Sequence, residues 1–267
     1  MPIVIMMLSA FAIIGLVKYG LVPGIDRLSA AQGWSLKARG KATGYATSVP
    51  ELVALVAAGL SGVWEAGLWN IASSNLINMS LAITALLYYK RGGDLIDRRF
   101  AKELGFAGLG ILAPLVLMQA GADTHWGVIP VLLLLFAVYL MLDKGDGEVP
   151  EGQSELGDVS ATSGFMMIAV SLGLIVLVGD FLGTATRDVV QVMGIPAIAA
   201  GWILGVVTSL PEAVTFFTVF SERRAGSCED GKAQIQELLD NLAASNMSNS
   251  GLIYPIGLSI FLLGSAA

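Results

Sequence analysis

The chain has 267 residues, 55% hydrophobic and 13% charged, with a mean hydropathy of +0.75. A soluble domain carries about 25% charged residues, so this composition excludes an ordinary soluble fold and marks an integral membrane protein. One cysteine (Cys228) excludes an internal disulfide, one histidine (His125, in a short polar link) leaves little for a catalytic triad, and the net charge of −6 says less than where the charges fall.

Eight apolar runs approach the roughly 20 residues that a spanning helix needs. They cover Ile3–Val22, Ala42–Leu60, Trp64–Tyr89, Leu104–Ala120 and Trp126–Leu142, then Phe165–Leu182, Ile195–Phe220 and Leu238–Leu263. The first lacks a basic start and is long enough to remain as a span, so no cleavable signal is expected. Between the two groups lies the polar stretch Asp143–Ser160. The expected organisation is a first half over 1–142, an acidic cytoplasmic linker over 143–160, and a shortened second half of about three helices over 161–267. The linker's carboxylates miss the alternating spacing and distal glutamate of an EF-hand, which favours a solvated connection.

Charge sets the orientation. The links after the first, third, fifth and seventh spans hold Arg27, Lys37, Arg39, Lys41, Lys90, Arg91, Arg98, Arg99, Lys102, Lys144, Arg223, Arg224 and Lys232, whereas Arg187 lies on the opposite side. Lys18 can snorkel to the basic side. The positive-inside rule then puts those links in the cytoplasm and both termini outside, in the plasma (inner) membrane. The basic clusters fit this topology and anionic headgroups, with no nucleic-acid partner required.

A five-residue string occurs twice within this frame. Thr47-Ser48-Val49-Pro50-Glu51 returns as Thr208-Ser209-Leu210-Pro211-Glu212. Each proline lacks the N–H that would bond the carbonyl four residues earlier, which frees the carbonyls of Ala46 and Val207. Thr47 and Glu51 share a helix face, as do Thr208 and Glu212. Helix two runs outward and helix seven inward, so the copies are antiparallel, an inverted-topology repeat with its site at the midplane. Glu51 lies 11 residues before Gly62 and Glu212 lies 10 before Glu222. At about 1.5 Å per residue each carboxyl is some 15 Å from a membrane face, half the hydrocarbon thickness. A second block follows each copy: Asn70, Ser74 and Asn78 recur as Asn241, Ser245 and Asn249, a polar stripe at four-residue spacing. Small polar residues also glue helices together, so these have a structural reading beside the ionic one. Asp180 reads equally as a proton relay or as an end-of-helix charge.

These motifs resemble the two alpha-repeats of the sodium/calcium exchanger family, in the cation/calcium antiporter superfamily. The family patterns are approximately G-T-S-x-P-E and G-N-x-x-G-S-N-x-x-N or -D. The resemblance covers about 40 residues in each half. It implies an all-α inverted-repeat transporter fold with broken helices at both Thr-Ser-x-Pro-Glu motifs. It also implies that calcium meets Glu51, Glu212 and the carbonyls near Thr47 and Thr208. Sodium would meet Ser48, Ser74, Ser209, Ser245, Asn78 and Asn249. The chain departs from the pattern at Ala46, Val207, Ser73 and Ala244, where the family has glycine, and at Asn249, where it often has aspartate.

The expected function is therefore secondary antiport of calcium against sodium through a two-glutamate midplane site. Two alternatives stand beside it: proton-coupled calcium or cation antiport, in which Glu51 and Glu212 titrate, and a non-transporting scaffold that keeps the fold. No nucleophile–base pair suggests an enzyme, and no cofactor is expected. The expected partners are the lipid bilayer and the transported ions. The family has five helices per half, so a homodimer or second subunit is expected to cover the shortened side.

Overall fold

The computed structural model describes residues 1–33, 42, 45–93, 97–142, 161–221 and 228–265, with backbone alone at 218–221, 228–233 and 237. The linker 143–160, Lys37, Arg39, Lys41, Lys144, Arg223 and Arg224 lie outside the described residues.

Every regular element among the described residues is helical. Helix α1 (Pro2–Leu16) passes through a π segment, Val17–Leu21, into α2 (Val22–Ala31). Next come α3 (Val49–Leu60) and α4 (Trp64–Tyr88). A short 3-10 turn, Arg98–Phe100, leads into α5 (Ala101–Gln119), which is followed by α6 (Val128–Leu142). The second half holds α7 (Ala161–Arg187) with its π extension Asp188–Val192, then α8 (Ala197–Thr208) and α9 (Leu210–Ser221). It ends with α10 (Cys228–Ser248), a π segment Asn249–Ile253 and α11 (Tyr254–Ser265).

Each of the eight predicted runs contains helix, but not every one qualifies alone as a span. Five helical rods are long and apolar enough: Pro2–Ala31, Trp64–Tyr88, Arg98–Gln119, Ala161–Val192 and Gln234–Ser265. The pair Ala197–Thr208 and Leu210–Phe217, bent by 40°, makes a sixth if counted as one span. Tyr45–Leu60 and Val128–Leu142 are apolar but shorter. The first rod reaches Ala31, well past the predicted Val22, running through the π segment Val17–Leu21, whose Val22 N–H bonds the Val17 carbonyl, and on past Pro23.

Polarity is arranged inside out. Leu8, Val131, Leu134, Phe165, Val176, Leu177 and Phe181 are exposed, while asparagines, serines and both motif glutamates are buried. Hydrocarbon tolerates the first set, and the second is kept out of lipid inside the bundle.

Glycine contacts fix the helix directions. Gly59 and Gly67 bring α3 and α4 together across the tight turn at Gly62 (φ +79°), so these helices run oppositely. Along α4 and α8, Gly201 approaches Ala66 and Asn70 while Gly205 approaches Ser73 and Ser74, so those two run the same way. It follows that α3 and α8 are antiparallel. Gly20 and Gly24 meet Ser171 and Ile168, an antiparallel crossing of the first rod with α7. Small residues on facing helices allow this close approach. Ser73 stands where the related pattern has glycine, and the compensating glycines are Gly201 and Gly205 on the opposite helix; Ser73 Oγ donates to the Gly201 carbonyl at 3.2 Å.

Candidate ion site between the two motif breaks

Both motifs interrupt their helices at the serine. Ser48 has φ −87° and ψ 1°, and Ser209 has φ −83° and ψ 2°, nearly identical conformations at matched positions. In each case the proline is the second residue of the helix that restarts, so it begins a helix rather than kinking one. Each glutamate thereby falls in a first helical turn, where the amide dipoles favour negative charge.

The breaks leave a group of buried oxygens. Glu51 is 0% exposed and Glu212 3%, and none of their four carboxyl oxygens has a hydrogen-bond partner in the protein. The two carboxyls lie within range of each other's charge, and the Thr208 hydroxyl stands near Glu51 but outside hydrogen-bond geometry. Ser245 stands in the same relation to Glu212. The hydroxyls of Ser48 and Ser209, at the two breaks, are buried and unpartnered as well.

Cross-repeat hydrogen bonds tie the second-block residues to this centre. Thr208 Oγ1 lies 3.2 Å from Ser74 Oγ and donates to Asn70 Oδ1 at 3.2 Å. Asn78 Nδ2 donates to Ser245 Oγ at 3.1 Å, and Asn249 Nδ2 donates to Asn75 Oδ1 at 2.9 Å. The amide oxygens of Asn78 and Asn249 remain buried without a partner. Thr47 is half-buried on the turn before Ser48. Of the predicted site residues, Glu51, Glu212, Thr208, Ser74, Ser245 and Asn78 are thus brought together. Asn249 shares the face of Ser245, four residues away.

Asn70, placed in the polar stripe but not among the ion ligands, is fully buried in the same polar core, as are Asn75, Asn246 and Ser250, which sequence reasoning did not select. Asn75 and Asn246 belong to the repeated second block, so recurrence was the signal that could have found them. Asp180 is exposed on α7, and His125 sits in the exposed turn before α6, its Nδ1 accepting from the Gly127 N–H at 3.1 Å. No cluster of three His, Cys, Asp or Glu side chains occurs among the described residues. The donor set is two carboxylates with neutral hydroxyl and amide oxygens, the hard-oxygen chemistry that suits calcium and similar cations.

Apolar helices enclosing a doubly acidic, oxygen-rich centre define a helical integral membrane protein of the ion-handling kind. The chain belongs to the sodium/calcium exchanger protein family, whose model matches residues 2–143 and 163–265. Its members are membrane transporters. Neither a curated protein nor a solved structure matches the chain.

Proposed function

We propose that this protein is a secondary antiporter exchanging calcium for sodium through a site centred on Glu51 and Glu212. One observation carries the reading: two buried carboxyls, delivered by matching helix breaks, have no oxygen bonded within the protein. Burying unpaired charge costs several kcal/mol or more, so such a pair needs an external neutralising partner. One divalent ion or two monovalent ions meet that need equally. Competition between the two loads for one cage couples their fluxes, and either load permits the halves to rock.

The antiparallel course of α3 and α8 supports an inverted repeat, here read as part of an eight-span topology with basic links in the cytoplasm. In this reading the shorter apolar helices Tyr45–Leu60 and Val128–Leu142 also cross, packed against longer neighbours.

With Asn78 and Asn249 both neutral, one calcium exchanges for two monovalent ions and no net charge moves. Calcium uptake into proteoliposomes is therefore expected to be insensitive to an imposed membrane potential. A flux that follows the potential overturns this stoichiometry.

Proton coupling is the second reading, resting on two carboxyls buried within range of each other's charge. Liposomes carrying sodium and pH gradients separately decide between them. Uptake driven by sodium alone supports the first reading; uptake driven by pH without sodium supports the second. Absence of flux under either gradient favours a scaffold.

A further inference from the structure

An asparagine amide has two nearly isosteric orientations, and only one presents oxygen to a cation. Here the orientations are set by hydrogen bonds that begin on the backbone of α5. Asn75 Nδ2 donates to the Gly110 carbonyl at 2.8 Å and to Ser250 Oγ at 3.0 Å, and Ser250 Oγ donates to that same carbonyl. A carbonyl only accepts, so the Asn75 amino group must face Gly110 and its oxygen must face away. That oxygen receives Asn249 Nδ2 at 2.9 Å, which turns the Asn249 oxygen outward from the pair.

The other repeat shows the same logic. Asn246 Nδ2 donates to the carbonyls of Ala107 and Asn75, each at 3.2 Å. Its oxygen therefore faces Asn78, whose amino group lies 3.5 Å from it and 3.1 Å from Ser245 Oγ. The Asn78 oxygen is left buried and unpartnered, as is that of Asn249. Ala107 and Gly110 are neighbours on one turn of α5. Gly110 is required there, because a β-carbon would come within 2.7 Å of the Asn246 carbonyl oxygen.

We propose that Asn75 and Asn246 are positioning residues for the transported cation: held by the Gly110 and Ala107 carbonyls, they turn the amide oxygens of Asn249 and Asn78 toward the Glu51/Glu212 site. The proposal rests on the two-carboxylate reading given above. It also predicts which substitution abolishes the need for positioning. An aspartate presents an oxygen whichever way it turns.

The test is a double-mutant cycle on the purified full chain in detergent, with calcium alone titrated calorimetrically. Asn75→Ala is expected to weaken calcium binding about 10- to 100-fold, the usual range for residues that orient metal ligands. In the Asn249→Asp background, where the fixed Asn75 oxygen would face a carboxylate oxygen instead of a donor, the same substitution should cause no loss of affinity. Asn246→Ala with Asn78→Asp is the mirror cycle, and it decides the matter if Asn75→Ala does not fold. No loss in Asn75→Ala, or an equal loss in both backgrounds, overturns the proposal in favour of a packing role. Failure of the underlying site looks different: Glu51→Gln and Glu212→Gln would then bind calcium as the unaltered chain does, and the positioning proposal would fall with it.

Discussion

Replacing either carboxylate by its amide, Glu51→Gln or Glu212→Gln, is expected to lower sodium-driven calcium uptake by about a hundredfold or more. Ligand charge count is among the main determinants of calcium affinity, which spans several decades across oxygen-ligand sites. The cage has two formal charges to begin with, and each substitution halves them. Size and shape are conserved, so the fold has little reason to change. Uptake of radioactive calcium into liposomes measures the effect, and melting of the ion-free protein checks that both variants remain folded. Flux within a few-fold of the unaltered chain in both variants would exclude these groups as the transport site.

Gly201→Ala is expected to be among the most damaging single-methyl changes in the bundle. A β-carbon there would collide with Cβ of Trp69, lie 2.7 Å from the Ala66 carbonyl and lie 2.9 Å from the Asn70 amide nitrogen. Two of these neighbours are backbone atoms, so relief requires α4 and α8 to separate. Overpacking of this kind costs about 1–3 kcal/mol. The separation would also draw Asn70 from Thr208, a contact of 3.2 Å that lies beside Glu51. Thermal unfolding in detergent should show a lowered midpoint, and calcium flux should fall with it. Gly15, whose surroundings are open, is the control: Gly15→Ala should leave both unchanged.

Much of the helical layout was legible because hydrocarbon imposes a coarse rule: long apolar runs become helices. The doubled Thr-Ser-x-Pro-Glu string also pointed to its glutamates, since a carboxyl recurring at matched depth has few structural explanations. The exact place of the break was less visible. Broken helices were expected at both motifs, but not that each break falls at the serine, Ser48 or Ser209, with Pro50 and Pro211 starting the next helix. Three π segments, at Val17–Leu21, Asp188–Val192 and Asn249–Ile253, had no signature in composition or periodicity. Asn75 and Asn246 were hidden for a different reason. Their partners are backbone carbonyls of α5, and a carbonyl carries no side-chain identity for a motif to record.

That fastening to α5 has a mechanical corollary. The helix grips Asn75 from one repeat and both Asn246 and Ser250 from the other, all from a single flank. An alternating machine built from two mirrored halves would rest equally in either orientation. In the proposed antiport cycle, one anchored from a single side would not, and would favour one resting posture over the other.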